Sequence, residues 1–120
     1  MAKILVLEDD PDQSMLVCDA LSVDGHQCIT AATVDQAEHI LDEQPVDLAI
    51  LDMNLPGRNG LEALTYIRKK PSAHMPVIVV TANPQFGRDA NDLGTDLFLI
   101  KPINLTELRT LVRRCLDSLA

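Results

Sequence analysis

Four of the five predicted strands end in polar side chains, and these residue types could do chemistry together. Glu8 and Asp9 stand at the end of the first strand, Asp52 at the end of the third, Thr81 at the end of the fourth and Lys101 at the end of the fifth. The carboxyl ends of parallel strands meet at one edge of an open α/β sheet, where such sheets bind ligands. We therefore expect these five side chains to converge on one pocket, provided that the strands that carry them are neighbours.

The three carboxylates of this predicted pocket favour a divalent cation. Two like charges about 4 Å apart repel by about 4 kcal/mol at an effective dielectric constant of about 20, and Lys101 alone cannot balance three negative charges. Mg²⁺ binds carboxylate oxygens and keeps waters that a phosphate can replace. We interpret Asp52 as a nucleophile that becomes phosphorylated. A cofactor-type phosphate loop is disfavoured, because the acidic loop after the first strand has no glycine.

The strands are predicted from short apolar runs without the alternation of a half-buried strand. Val46–Leu51, which leads directly into Asp52, is apolar apart from one residue, as expected for a strand covered on both faces. The fourth run is rich in β-branched residues, which favour strands. The predicted strands are Lys3–Glu8, Gln27–Ala31, Val46–Leu51, Pro76–Thr81 and Asp96–Lys101.

Most helix starts are marked by an N-cap residue followed three positions later by Glu or Gln. Asp10 suits an N-cap, Pro11 the first helical position, and Gln13 is expected to complete a capping box. The same spacing recurs at three later helices, with the pairs Thr33 and Gln36, Asn59 and Glu62, and Asn104 and Glu107.

Apolar spacing predicts which helix faces are buried. The first helix is expected to turn Met15, Val17, Cys18 and Leu21 inward, and the last has an apolar stripe from Leu105 to Leu119. Residues 83–94 have neither a capping box nor a clear stripe, so we expect a short, marginal helix there.

The alternation of strands and helices predicts an α/β fold. We expect a single (βα)5 doubly wound domain over residues 1–120, with a five-stranded parallel sheet and right-handed connections. In the flavodoxin-like strand order 2-1-3-4-5, the four strands with polar ends are consecutive neighbours and strand two lies at the edge.

Composition excludes several classes of function. The 120-residue chain is 47% hydrophobic with few aromatic residues, which supports one aliphatic core, and its net charge of −8 disfavours direct binding to nucleic acid or anionic membranes. We expect no targeting segment or membrane span, and a cytoplasmic location. Cys18, Cys28 and Cys115 are odd in number and widely spaced, as is typical of reduced, buried thiols.

Four short motifs stand at the strand ends, in order along the chain. They are Ile4–Asp12, Leu51–Gly57 continuing to Asn59 and Gly60, Thr81 with Ala82, and Gly94–Phe98 continuing to Lys101 and Pro102. Each is weak alone, but the four in this order are highly specific. On these motifs the sequence resembles the CheY-like receiver domain of two-component response regulators over essentially its whole length.

The resemblance implies a phosphorylation site that uses a metal ion. Asp52 would accept a phosphoryl group from a histidine kinase or a phosphotransfer protein. Glu8, Asp9 and Asp52 would hold Mg²⁺ together with the backbone carbonyl of Asn54. Lys101 would pair with the phosphoryl oxygens, and its peptide bond to the following proline is expected to be cis.

The resemblance also implies a switch and a means of setting its lifetime. Thr81 would donate its hydroxyl to a phosphoryl oxygen, and Phe98 would change rotamer when Thr81 moves. Asn54 and Asn83 occupy positions at which the family tunes dephosphorylation. In the family, the surface formed by helix four, strand five and helix five is the usual output surface. This sequence departs from the family pattern there. The output partner and the oligomeric state, monomer or weak dimer, therefore stay open.

The residues are compatible with three functions. A phosphorylation-driven switch is favoured because the acids, the threonine and the lysine are all present; its chemistry would be limited to its own phosphorylation and dephosphorylation. A receiver-like interaction module that works without phosphate is the alternative. A hydrolase that uses Asp52 on an external substrate is disfavoured, because no second catalytic acid with a substrate pocket is evident.

Overall fold

Five parallel strands alternate with five helices in the computed structural model, which describes residues 2–70 and 74–117. The strands pair in the order β2-β1-β3-β4-β5, as predicted. The strands are β1 Lys3–Leu7, β2 Gln27–Ala31, β3 Leu48–Asp52, β4 Val77–Thr81 and β5 Leu97–Ile100. The helices are α1 Pro11–Ser22, α2 Val34–Glu43, α3 Gly60–Arg68, α4 Phe86–Asp92 and α5 Leu105–Asp117.

Aliphatic side chains pack on both faces of the sheet. The cluster under α2, α3 and α4 includes Leu5 and Leu51, and the cluster under α1 and α5 includes Ile4 and Ile50. Successive residues of a strand point to opposite faces, so neighbours in one strand belong to different clusters. Because helices cover both faces, the strands need no polar side. The predicted doubly wound α/β fold is confirmed.

The central strand β3 is buried along its whole length and ends in Asp52. It begins two residues later than predicted, with Leu48 paired to Ile4 of β1. Asp47 stands before the strand, at the opposite edge of the sheet, where its carboxylate accepts a hydrogen bond from the Lys3 amide at 2.8 Å. The carboxylate at the carboxyl end of β3 is therefore held inside the fold, and the one at its start ties two chain segments together.

The start of α1 differs from the prediction in one hydrogen bond. Asp10 is the N-cap, and its carboxylate accepts from the amides of Asp12 and Gln13, as predicted. The capping box is wrong, because the Asp10 amide donates to Glu8 Oε2 at 3.1 Å and not to the Gln13 side chain. The Gln13 side chain is thereby left available for another partner.

The buried face of α1 is narrower than predicted. Val17 and Leu21 are buried and Cys18 is partly buried, but Met15 is 62% exposed. Ser14 is buried in its place. Positions three and four apart share a helix face, which aligns Ser14 with Val17 and Leu21 and leaves Met15 outside that stripe.

The later helices follow their sequence patterns closely. Thr33, Asn59 and Asn104 each accept a hydrogen bond from the amide three residues on, and Asn59 has the complete capping box. The box predicted at Thr33 is wrong, because Gln36 Oε1 accepts from the Ala32 amide at 2.8 Å and not from the Thr33 amide. In contrast, α4 has seven residues and no side-chain bond at its N-cap, as expected of a marginal helix. Leu108 and Val112 of α5 are buried, whereas the predicted inward position Leu119 lies outside the described residues.

The three cysteines are free and partly buried, and they pack against the cluster under α1 and α5. The interaction with the Cys18 thiol, together with burial, raises the pKa of Cys28. Within residues 2–70 and 74–117, no helix has the length and apolar character needed to cross a bilayer.

Candidate functional site

The sheet brings the predicted site residues to one edge. Asp52 is the last residue of β3 and Thr81 the last residue of β4, while Glu8 directly follows β1 and Lys101 directly follows β5. The strands that carry them are consecutive neighbours in the sheet. The predicted convergence is therefore present in the fold, and it follows from the parallel strand order.

Lys101 joins the acids from two different strands. Its Nζ donates to Glu8 Oε1 at 2.7 Å and to Asp52 Oδ2 at 2.9 Å. Both carboxylates are nearly inaccessible to solvent, with exposures of 9% for Glu8 and 5% for Asp52. Charge-assisted hydrogen bonds of this kind are short and strong, and they keep the buried carboxylates paired.

The environment of Lys101 acts on its pKa in two directions. Burial lowers the pKa of the ammonium group. The hydrogen bonds to Glu8 and Asp52 and the attraction of their charges raise this pKa, and their combined effect is larger than that of burial. The net result is a pKa above the usual lysine value. Lys101 is therefore positively charged over the whole physiological pH range.

Three acids form a cluster that can hold a divalent cation. Single carboxylate oxygens of Glu8, Asp9 and Asp52 all lie within 4.8 Å of one another. Asp9 is exposed, so the cluster opens to solvent on its side. Lys101 contacts only two of the three acids, and a lysine cannot bridge them all as a metal can. An all-oxygen set of this kind suits Mg²⁺, and the donor set fits the predicted ion.

Hydrogen bonds fix the loops beside Asp52. They use one carboxylate oxygen of Asp52, and the other oxygen accepts from Lys101. Asp52 Oδ1 accepts from the Asn54 amide at 3.0 Å. Asn54 Oδ1 in turn accepts from Asn83 Nδ2 at 2.9 Å, and the Asn83 amide donates to Thr81 Oγ1 at 3.1 Å. The two predicted tuning residues thus contact each other and link the loops that follow β3 and β4.

Gly60 sets how closely α3 approaches Asp52. A β-carbon at this position would lie 2.2 Å from the Asp52 carbonyl oxygen and 2.6 Å from the Met53 side chain. Glycine is therefore required by space and not by an unusual backbone angle. The start of α3 packs directly against the backbone of the strand end that carries Asp52.

Arg58 anchors the loop between β3 and α3. It forms ion pairs with Asp35 at 2.7 Å, Glu38 at 2.7 Å and Glu62 at 3.2 Å, which raise the pKa of its guanidinium group. Two of these acids belong to α2 and the third to α3. The ion pairs therefore connect the loop after Asp52 to two helices on one face of the sheet.

Thr81 and Phe98 lie on the same face of the sheet. Phe98 is paired with Val79, and Thr81 stands two residues after Val79 on the same strand. Residues two apart in a strand point to the same side. Thr81 is fully buried, whereas Phe98 is partly buried and lies 3.4 Å from the position of a β-carbon at Gly87 of α4. This arrangement places Phe98 between the site and α4.

Gln13 is the site residue that sequence reasoning missed. Its Oε1 accepts a hydrogen bond from Lys101 Nζ at 2.9 Å, which makes it the third acceptor of this ammonium group. The capping-box spacing suggested a different partner, and no pattern in the sequence marks the contact with a residue 88 positions away. The peptide bond between Lys101 and Pro102 is cis, as predicted.

Comparison with known sequences identifies relatives of the whole chain. Residues 4–113 match the response regulator receiver domain. The chain is 36% identical to transcriptional regulatory protein PmrA of Pectobacterium parmentieri, over 92% of this chain and 50% of that protein. It is 34% identical to phosphate regulon transcriptional regulatory protein PhoB of Rhizobium meliloti, over 97% of this chain and 52% of that protein. The chain thus spans about half the length of these curated relatives.

Solved structures agree with this match. Response regulator protein TrrA of Thermotoga maritima, in complex with Mg²⁺–BeF, superposes with a TM-score of 0.87 at 31% identity, covering 96% of this chain and 99% of that one. The receiver domain of sensor histidine kinase PA1611 of Pseudomonas aeruginosa superposes with a TM-score of 0.88 at 26% identity, covering 97% of this chain and 98% of that one. That structure has a magnesium ion coordinated in its active site cleft.

Proposed function

The chain belongs to the receiver domain family of two-component response regulators, and from this premise we propose that Asp52 is its phosphoacceptor. Membership confirms the resemblance predicted from the four sequence motifs. The proposal treats residues 1–120 as one receiver domain that gains a phosphoryl group and thereby changes the surface around α4, β5 and α5. Its chemistry is confined to the gain and loss of this group.

One observation carries the proposal: Asp52 is buried at a sheet edge between Lys101 and the two other acids of the cluster. A carboxylate oxygen there can attack the phosphorus of a phosphohistidine. The new O–P bond forms as the P–N bond breaks, and the histidine nitrogen leaves with the bonding electrons. Phosphoryl transfer depends mainly on positioning and charge neutralisation, and the site offers both.

The proposed cofactor is Mg²⁺, held by Glu8, Asp9 and Asp52 and by the backbone carbonyl of Asn54. When bound, it supplies positive charge for the oxygens of the transferred group. Lys101, which follows β5 at the same edge of the sheet, supplies a second positive charge. Thr81 is buried beside the site, and its hydroxyl can donate to a phosphoryl oxygen while it accepts from the Asn83 amide.

The proposed switch runs from Thr81 to Phe98. Movement of Thr81 towards the phosphoryl group would vacate space on the face that the two residues share, and Phe98 would move into it. Because the Phe98 ring lies 3.4 Å from the position that a β-carbon at Gly87 would take, this motion would reach α4. The phosphoryl group would thereby shift an existing equilibrium between two arrangements of the output surface.

The proposed phosphoryl donor is a histidine kinase or a phosphotransfer protein. The output partner is unknown and would bind the surface around α4, β5 and α5 of a monomer or weak dimer in the cytoplasm. Direct contact with nucleic acid or a membrane is not part of the proposal, because the chain carries a net charge of −8. Asn54 and Asn83 are proposed to set the lifetime of the phosphorylated state.

Acetyl phosphate with Mg²⁺ tests the proposal directly. We expect intact-mass measurement to show the gain of one phosphoryl group in the wild type and none in Asp52→Asn. Asp47→Asn is the matched control, because Asp47 lies near the other end of the same strand and should react as the wild type does. Absence of the mass gain in a folded wild type would favour the phosphorylation-independent interaction module instead.

Thermal unfolding tests the metal site separately. A ligand that binds only the folded state at ten times its Kd adds about 1.4 kcal/mol of stability. We therefore expect Mg²⁺ to raise the Tm of the wild type by several degrees, and chelation to reverse the rise. Asp9→Asn, which alters the exposed acid of the cluster, should show a smaller rise. An equal rise in both proteins would argue against the site.

A further inference from the structure

The hydrogen bonds of Lys101 reveal one partner that the proposed chemistry has not used. An ammonium group has three N–H donors, and the described residues provide three acceptors. These are Glu8 Oε1 at 2.7 Å, Asp52 Oδ2 at 2.9 Å and Gln13 Oε1 at 2.9 Å. Gln13 differs from the other two because it is neutral, exposed and positioned by α1 rather than by a strand end.

The local structure leaves Gln13 free for this contact. Its predicted task was to satisfy the Asp10 amide, but that amide donates to Glu8 Oε2 at 3.1 Å. Glu8 Oε2 therefore accepts the hydrogen bond that was predicted for Gln13 at the start of α1. The other oxygen of Glu8 accepts a hydrogen bond from Lys101. One acid thus fixes the helix start and the lysine together, and this places Gln13 over the lysine.

The three acceptors of Lys101 respond differently to a divalent cation. Glu8 and Asp52 belong to the acid cluster, so a bound cation would compete with Lys101 for their oxygens. A bound ion is the largest local charge in such a site. Gln13 lies outside the cluster, and its amide oxygen would keep its full interaction with the ammonium group.

The contact between Gln13 and Lys101 lies at the surface of the protein. Gln13 and Lys101 both line a surface concavity of about 490 Å³, whose other walls include Leu16, Val17 and Pro102. The Lys101 side chain is 18% exposed and Gln13 is exposed, so this hydrogen bond joins the exposed side of α1 to the site.

We propose that Gln13 is the positioning residue that holds Lys101 Nζ beside Asp52 when the acid cluster carries Mg²⁺. The inference rests on the proposed function, since it assigns Gln13 a role in the same phosphorylation site. Without the ion, Glu8 and Asp52 alone suffice to hold the lysine. With it, the neutral acceptor on α1 becomes the main anchor of the ammonium group.

The test compares Gln13→Met with Gln44→Met. The first change removes the amide oxygen and keeps a side chain of similar length. The second is a matched control, because Gln44 Oε1 accepts from Lys3 Nζ at 3.1 Å, a similar contact at the opposite edge of the sheet. Gln13→Glu, which restores an oxygen acceptor at the same place, is the rescue variant.

Proton exchange of the Lys101 ammonium group, followed by ¹⁵N-edited NMR with and without Mg²⁺, gives the decisive readout. We expect exchange in Gln13→Met to be several-fold faster than in the wild type only when Mg²⁺ is present. Gln13→Glu should restore slow exchange, and Gln44→Met should match the wild type throughout. Phosphorylation of Gln13→Met by acetyl phosphate should slow about three- to tenfold, the range expected for one lost hydrogen bond.

Two results would overturn the inference. Exchange in Gln13→Met that equals the wild type with Mg²⁺ would show that Gln13 does not hold the lysine. Exchange that is faster to the same degree without the ion would show a contact unrelated to metal binding. If the wild type itself takes no phosphoryl group, the proposed function fails, and the exchange experiment with Mg²⁺ still decides for or against Gln13.

Discussion

At the scale of single residues, two amide side chains meet beside the candidate site. Asn54 extends from the loop after β3 and Asn83 from the loop after β4, and a hydrogen bond of 2.9 Å joins them. The resemblance to the receiver family implies a tuning role for each position separately. Their contact links the two positions physically, so a change at one alters the environment of the other.

We predict that the two residues act as a pair on the lifetime of phosphorylated Asp52. Asn54→Ala and Asn83→Ala should each accelerate hydrolysis about two- to tenfold, because either change removes the same hydrogen bond and opens the site to water. The double variant should be no faster than the quicker single variant. Loss of radiolabelled phosphate measures the rates, and additive effects on the activation free energy would contradict the pairing.

Residue types and strand ends were sufficient to predict the acids, Thr81 and Lys101, because parallel strands bring their carboxyl ends together. The partners of Gln13 could not be predicted in this way. Its spacing from Asp10 is correct for a capping box, but Glu8 competes successfully for the same amide. Such competition is decided by side-chain reach in three dimensions, which sequence spacing does not encode.

At the scale of elements, the start of α3 determines the position of the strand end that carries Asp52. Gly60 allows the first turn of the helix to contact the Asp52 carbonyl, and Arg58 ties the preceding loop to α2. Sequence reasoning found the Asn59 capping box that begins this helix. It did not find the close approach, because a glycine at a helix start has several ordinary explanations.

Gly60→Ala is predicted to lower the stability of the fold by about 1–3 kcal/mol, since overpacking against a backbone cannot be relieved by a side-chain movement. Gly87→Ala is the control: its β-carbon would meet the Phe98 ring at 3.4 Å, an ordinary contact, within the weakly capped α4. Gly87→Ala should increase the free energy of unfolding by at most about 1 kcal/mol, because alanine favours the helix more than glycine does. Denaturant unfolding of both variants measures the difference, and equal effects would refute it.

The turn between α1 and β2 is connected to α5 by an ion pair. Asp24 accepts from Arg109 at 2.9 and 3.1 Å, and Arg113 lies 3.8 Å away. The hydrogen bond from Arg109, together with the attraction of both guanidinium groups, lowers the pKa of Asp24 despite an opposing effect of partial burial. The ionised form is thus favoured in the folded protein.

This shift predicts a dependence of stability on pH. A carboxylate whose pKa is lower in the folded state stabilises the fold above its unfolded pKa of about 3.9, and this stabilisation is lost as the pH falls through the folded pKa. Asp24→Asn should therefore be less stable than the wild type at pH 7, and the difference should vanish in acid. Denaturant titrations across this range, with exposed Asp19→Asn as the control, measure it. A constant difference would contradict the linkage.

For the whole molecule, the parallel sheet with helices on both faces was the most predictable feature. Short strands without a polar face require cover on both sides, and helical crossovers require parallel pairing. The exposed position of Met15 was not predictable in the same way, because a helix with apolar residues on several sides permits more than one buried stripe. Packing against both β2 and α5 selected the stripe that contains Val17 and Leu21.

The direction of the sheet also determines where another polypeptide can be attached. Ala2 precedes β1 at the amino-terminal rim, and the contact between Arg109 and Asp24 shows that α5 runs back towards that rim. The outermost described residues, Ala2 and Asp117, therefore lie on the far side of the molecule from Asp52. A fluorescent tag or a second folded module tethered at either terminus would leave Asp52, the proposed phosphoacceptor, open to an incoming donor.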